Sequence, residues 1–203
     1  MTAQDIFGSR DRPLITFNFV DFARGLAVET FYGGNLQTIS GQTLVTNYLF
    51  NNRVFEPITN STTKTRDPTG TETTYTQTHI ANVDLKFGLP RTINGDIIME
   101  GAGVVTASGG VSSYWEYNFC KVKNEVETLI ISGMTLVGSF NNKTTFNNQK
   151  FKGNEILRLK IFAWTKYIGS SSNDKIYMTL YHNPLSTDRS NYLLLQIPFK
   201  IDI

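Results

Sequence analysis

The 203-residue sequence has one cysteine, two histidines and little charge, and each scarcity removes a class of chemistry. Cys120 stands alone, which excludes an intrachain disulfide and any multi-cysteine zinc site; inside "SSYWEYNFCKVK" it reads as a small apolar side chain. His79 and His182 lie far apart and no Gly-x-Ser-x-Gly elbow occurs, so neither a Ser-His or Cys-His nucleophile nor a transition-metal site is indicated. No segment approaches the roughly 20 apolar residues of a membrane helix. The N-terminal "MTAQDIFGSRDRP" lacks a basic stretch leading into an apolar one and predicts no secretory signal. Charged residues make up 18% of the chain with a formal net charge of +2, which leaves no basic footprint for phosphates and predicts no direct reading of nucleic acid. From these absences the chain is expected to be no enzyme and to carry no cofactor and no metal.

What is abundant is strand-forming material. Fourteen Phe and nine Tyr sit within a 40% hydrophobic composition, enough for a sizeable core in one all-β domain. The last residues, "YLLLQIPFKIDI", alternate: Leu193, Leu195, Ile197, Phe199, Ile201 and Ile203 form one row, and Gln196, Pro198, Lys200 and Asp202 the other. A period of two marks a half-buried strand. Pro198 cannot donate to a ladder, so it is expected at a sheet edge or a bulge. In "ILRLKIFAW", Leu157, Leu159 and Ile161 face one way, Arg158 and Lys160 the other. Repeated over the chain, such runs predict about eight to ten strands and no helix of normal length. The expected fold is an antiparallel, jelly-roll-like β-sandwich. Residues 81–203 alternate cleanly and form its core, while residues 1–80, polar and weakly periodic, supply an extended N-terminal arm and extra strands of the same domain.

Turn chemistry punctuates the strands. "RDPTG" reads as a type I turn, and Asn124 in "KVKNEVE" as a tight hairpin reversal. "NNKTTFNNQKFKGNE" is polar enough to predict a surface loop or poorly formed edge, and "TKYIGSSSNDK" a hairpin loop. "GAGVVTASGG" lacks the Gly-Lys-Ser/Thr of a phosphate loop, so Gly101 and Gly103 are expected to permit a bulge or close packing. "YHNPLSTDRSNY" joins His182, Asn183, Asp188 and Arg189 in a hairpin connection with too few oxygens for calcium. Nothing singles out a catalytic pair among Glu116, Glu125, Glu127, Glu155, Asp174 and Asp188. Tyr114, Trp164 and Tyr167 are candidates for stacking on sugar rings, though most aromatics of a sandwich are core.

Three stretches in order, "LPRTINGDIIMEG", "GNEILRLKIFAW" followed by "IYMTLYHNPLSTDRS", and the closing "LQIPFKIDI", resemble β-sandwich virion structural proteins of tailed viruses of microbes. The likeness covers about Leu89 to Ile203 and carries no catalytic residue. It implies a protein made in the host cytoplasm, located in the virion, forming a homo-oligomer and binding other virion proteins, the major capsid protein first. Within that class a capsid-decorating or auxiliary head protein is the first expectation, with a jelly-roll major capsid protein or a tail or fibre component as alternatives. A carbohydrate-binding β-sandwich module is the alternative of another class. The arm would reach a neighbour through Pro13 to Gly34, with Phe17, Phe19, Phe22, Phe31 and Tyr32 as contacts.

Overall fold

The computed structural model describes residues 15–16, 26–34, 46–50, 61–135, 138–171, 174–183, 186, 188 and 191–200. They form β1 (Ile15–Thr16), β2 (Leu26–Gly34), β3 (Thr46–Phe50), β4 (Ser61–Arg66), β5 (Thr76–Lys86), β6 (Arg91–Thr106), β7 (Val111–Lys123), β8 (Val126–Thr135), β9 (Gly138–Phe151), β10 (Ile156–Tyr167), β11 (Ile176–Tyr181) and β12 (Leu194–Lys200). The protein is an all-β sandwich of two antiparallel sheets.

In the first sheet β6 is the organising strand. β9 pairs with it from Arg91 to Gly103, while β12 and β11 pair with Ile93–Glu100 and Ala102–Thr106 in succession. Because the same β6 residues serve β9 and the other two strands, these partners occupy opposite edges. β2 continues beyond β12, and β4 beyond β11. The second sheet runs β3–β5–β10–β7–β8, antiparallel except for a short parallel pairing of β3 with β5. Pairing of β2 with β3 over Tyr32–Gly34 joins the two sheets along one side.

Between the sheets, one parity of each strand makes the core. Leu157, Leu159, Ile161 and Ala163 of β10 are buried, as are Trp115, Tyr117 and Phe119 of β7 and Leu195, Ile197 and Phe199 of β12. Rings meet across the gap: Phe119 of β7 lies edge-on to Phe146 of β9 at 5.3 Å, and Phe87 approaches Phe151 at 4.8 Å. The expected inward row of the closing strand is correct for Leu193, Leu195, Ile197 and Phe199; of the other row Gln196 is half-buried and Lys200 exposed, but Pro198 is buried, because β12 has strands on both sides; Ile201, Asp202 and Ile203 lie outside the described residues.

Pro198 sits at a bulge, not an edge. β12 has β2 on one side and β6 on the other, but its ladder to β6 breaks between Gln196, opposite Ile98, and Phe199, opposite Ile93. Asn94 to Ile97 thus lie across from Ile197 and Pro198 alone, so the ladder breaks at the residue with no N–H to donate. Gly95, with φ of +116°, makes the excursion of β6 possible.

Gly103 shows why the glycine-rich stretch packs closely. A Cβ there would stand 2.5 Å from the Trp115 ring, so the indole lies where a side chain would have been. Gly103→Ala is expected to destabilise the fold by about 1–3 kcal/mol through overpacking. Gly88→Ala, whose new Cβ meets nothing within 4 Å, should change stability by no more than about 0.5 kcal/mol. Chemical denaturation of the two variants compares them directly.

Several connections differ from expectation. "NNKTTFNNQKF" belongs to an edge strand, β9, not a loop: it pairs with β6 on either side of one bulge, while Phe140, Phe146 and Phe151 reach the core. Asn148, at φ of 48°, accommodates the bulge between Phe146 and Gln149 that keeps Phe151 inward. "TKYIGSSSNDK" is no hairpin loop, since β10 and β11 belong to different sheets and the chain turns a corner between them. The β11–β12 connection is no hairpin either, because both strands pair with β6 and not with each other. The bend at "RDPTG" uses Gly70 at φ of +106° and is closed by side chains, Arg66 pairing with Glu72. The β7–β8 hairpin is as expected, with Asn124 and Glu125 both at positive φ.

Candidate functional site

The outer face of the second sheet is built by the parity that the core does not use. On β10 this row is Arg158, Lys160, Phe162, Trp164 and Lys166, all half-buried. The register places β5 and β7 residues beside the first four of them, and Ser112 of β7 beside Lys166. Arg158 lies between Asp84 and Cys120, Phe162 between His79 and Glu116, and Trp164 between Gln77 and Tyr114. The face therefore has a charged end and an aromatic end.

At the charged end Arg158 holds Asp84 with two bonds: Nε donates to Oδ1 at 2.8 Å, and Nη2 to Oδ2 at 2.7 Å. Its Nη1 donates to Glu127 of β8, whose second oxygen accepts from Lys160 at 2.8 Å. Asp84 is 3% exposed, so this is a desolvated ion pair extended to the surface by a second carboxylate. The Asp84 hydrogen bonds raise the guanidinium's affinity for its proton; burial opposes this and Glu127 adds to it. Burial pushes the Glu127 carboxyl up, but Lys160 and Arg158 outweigh it and leave it below its ordinary value.

At the aromatic end the rings form one band. His79 stacks on Phe162 at 4.8 Å; Trp164 lies 5.8 Å from Tyr114 at an interplanar angle of 14°; and Tyr114 lies 5.1 Å from Tyr75. Polar partners pin several of them. The Trp164 indole N–H donates to Glu116, which also accepts from Gln77 at 3.2 Å. Tyr75, 37% exposed, shares a 2.8 Å hydrogen bond with Ser112 and has the Lys166 ammonium 5.2 Å from its ring centre. Desolvation, then the charge of Lys160, depresses the His79 pKa, so the imidazole at the end of the band is predominantly neutral near pH 7.

The residues singled out in the sequence are distributed otherwise. Tyr114 and Trp164 meet on this face, whereas Tyr167 is fully buried and donates its hydroxyl proton to Asp174. Phe162 and Tyr75 were not singled out; the β10 parity that turned Arg158 and Lys160 outward extends directly to Phe162. Phe31, 5% exposed, packs edge-on to Phe199 in the core, so its ring is directed into this chain's own sandwich. Tyr32 packs against Tyr192 at 6.4 Å, and Phe17, Phe19 and Phe22 lie outside the described residues. Residue 80 falls within β5, so described strands from before and after it share the second sheet.

The carboxylates have separate partners. Glu116 holds Trp164, Glu127 holds Arg158 and Lys160, Glu155 holds Lys121, and Asp174 accepts from Ser108 and Tyr167. Cys120 is buried, and desolvation raises its thiol pKa. Among the described residues, no cluster of His, Cys, Asp and Glu could hold a metal ion, and no helix is long and apolar enough to cross a membrane.

Two further features complete the surface. β8 pairs only with β7 among the described strands, leaving an open edge with Val126 66% and Leu129 58% exposed. At one end of the sandwich a cleft of about 380 Å³ has an apolar floor that includes Phe31, Phe87 and Phe199. At its wall Arg91 donates to the buried Glu29 carboxylate at 3.1 Å.

No family model and no curated protein matches the chain. Among solved structures, a chain in the structure of infectious bursal disease virus Gt strain is similar with a TM-score of 0.26 and 10% identity, over 87% of this chain and 43% of that one. A chain in the structure of the Gx strain is similar with a TM-score of 0.22 and 9% identity, over 86% of this chain and 42% of that one. This chain thus spans less than half the length of either.

Proposed function

We propose that the protein is a structural component of a virus particle, specifically a capsid-decorating or auxiliary head protein acting through repeated protein–protein contacts. The open edge of β8 is the observation that carries this reading. An edge strand presents unpaired N–H and C=O groups, and a protein that stays monomeric commonly protects such an edge with charge, proline or a covering loop. Here Val126 and Leu129 flank Glu127, which is itself engaged by Arg158 and Lys160. Strand addition along β8 would satisfy the backbone and cover the apolar side chains together. Symmetry multiplies such a contact, so that weak individual bonds hold a shell against internal pressure. The partners would be the major capsid protein and other copies of the chain, in the virion, after synthesis in the host cytoplasm. The ordered resemblance ending in "LQIPFKIDI" supports the same class.

Leu129→Lys tests the contact. A charge at the middle of the edge is expected to weaken binding to undecorated shells at least about tenfold, read by co-sedimentation, with an unchanged far-ultraviolet circular dichroism spectrum. Undiminished binding by the folded variant would remove β8 from the interface. Wild-type protein that closes into shells alone would instead be a major shell protein.

A further inference from the structure

We propose that the aromatic end of the outer face, centred on Trp164, Tyr114 and Tyr75, is a binding platform for a neutral oligosaccharide. This inference stands apart from the assembly reading, since it uses the β10–β7 face and not the β8 edge. A sugar ring offers an apolar C–H face and a rim of hydroxyls, so it is recognised by aromatic rings with hydrogen-bonding groups between them. The site has that alternation: Trp164 and Tyr114 lie directly opposite each other in the β10–β7 ladder, and Gln77, Glu116 and Lys166 surround them.

The rings are held before any ligand arrives. Glu116 fixes the Trp164 indole, and Ser112 with Lys166 fixes Tyr75, so little side-chain freedom remains to be lost on binding. A strand-borne site is also positioned by the ladder itself, and the β10–β7 register runs unbroken from Ile156 to Tyr167. The chemistry favours a sugar over a protein partner. The hot centre of a protein interface is depleted of charge, whereas Lys160, Lys166 and Glu116 stand among or beside these rings. A nucleic acid would require a concentrated basic footprint, and the face has a carboxylate at its middle.

The experiment titrates the full chain with cellohexaose, mannohexaose and chitohexaose, followed by calorimetry and tryptophan emission. Trp115 is fully buried and gives a constant background, leaving Trp164 as the reporter. The expected result is saturable binding of at least one hexasaccharide with a change in emission. Trp164→Ala and Tyr75→Ala should each weaken it at least about tenfold. Tyr75 is exposed, so its variant keeps the test sound if removal of Trp164 disturbs folding. Absence of binding by all three sugars at about 10 mM would overturn the proposal, as would binding that survives both substitutions. Loss of acrylamide access to Trp164 in the assembled particle, with no competition from any of these sugars, would make the face a protein contact and also overturn it.

Discussion

Arg158→Met is expected to destabilise the folded protein by about 3–5 kcal/mol, the cost of leaving one member of a buried ion pair without its partner. Asp84 is the residue left behind: it is 3% exposed, and both its oxygens accept from the guanidinium. Glu127 loses only one of its two cations, since Lys160 remains 2.8 Å away. For a domain of this size the melting temperature should fall by roughly 10 °C. The double variant Asp84→Leu with Arg158→Met removes both charges and should recover most of the loss, because an apolar pair of similar volume replaces a desolvated ionic one. Equal stability of the single and double variants in thermal or urea denaturation would show that the Asp84 charge is compensated elsewhere.

A second large effect comes from pH. His182 is fully buried, shares a 3.1 Å hydrogen bond with Thr62 through Nε2, and has no hydrogen-bond partner at Nδ1 among the described residues. Desolvation pushes its pKa from 6.5 down to about 4. Between those values the unfolded chain binds the proton and the folded chain does not, so stability is complete above about pH 6.5 and falls as pH approaches 4. The shift corresponds to a loss of about 3 kcal/mol across that window. His79, also depressed by burial, contributes in the same direction. Carboxylates enter later. Glu72, Asp96, Glu155 and Asp174 are held below their ordinary values by hydrogen bonds from Arg66, Lys143, Lys121 and Ser108, so their stabilisation is lost at lower pH, after the histidine effect has developed. Urea titrations between pH 7 and 5 should therefore show a slope that His182→Gln flattens. A slope unchanged by that variant would assign the dependence to other groups.

How far the sequence could be read differs by element. The alternation of β10 and β12 predicted their inward rows, though not the burial of Leu194 and Pro198 in β12, and Asn124 marked its hairpin, because a period of two and a positive-φ turn are local properties. β9 was hidden by its polarity. An edge strand paired with one long neighbour needs few apolar side chains, and its three core phenylalanines are separated by a bulge that breaks their parity. Local sequence also left open which connections turn back in one sheet and which cross to the other. The loops after Tyr167 and after Tyr181 look like hairpins in sequence and are not.

The candidate site was legible only in fragments. Tyr114, Trp164 and Tyr167 are equivalent as letters, yet the first two share the outer face and the third is sealed inside against Asp174. Tyr167 has the parity of Leu157 and Leu159, while Trp164 has that of Arg158, a distinction available from β10 alone. What places His79 beside Phe162 is the register shift in the β5–β10 ladder between Ile161 and Phe162, where one additional β5 residue changes the pairing. By itself, then, the sequence determined an all-β chain, the inward rows of its main strands and that Pro198 must sit at an edge or a bulge. The tertiary structure alone decided which strands became neighbours, that β8 has a single partner among the described strands, and that five rings and a carboxylate converge on one face. Alternation is carried by each backbone separately, whereas pairing and register depend on the burial and hydrogen bonding of partners distant in the chain.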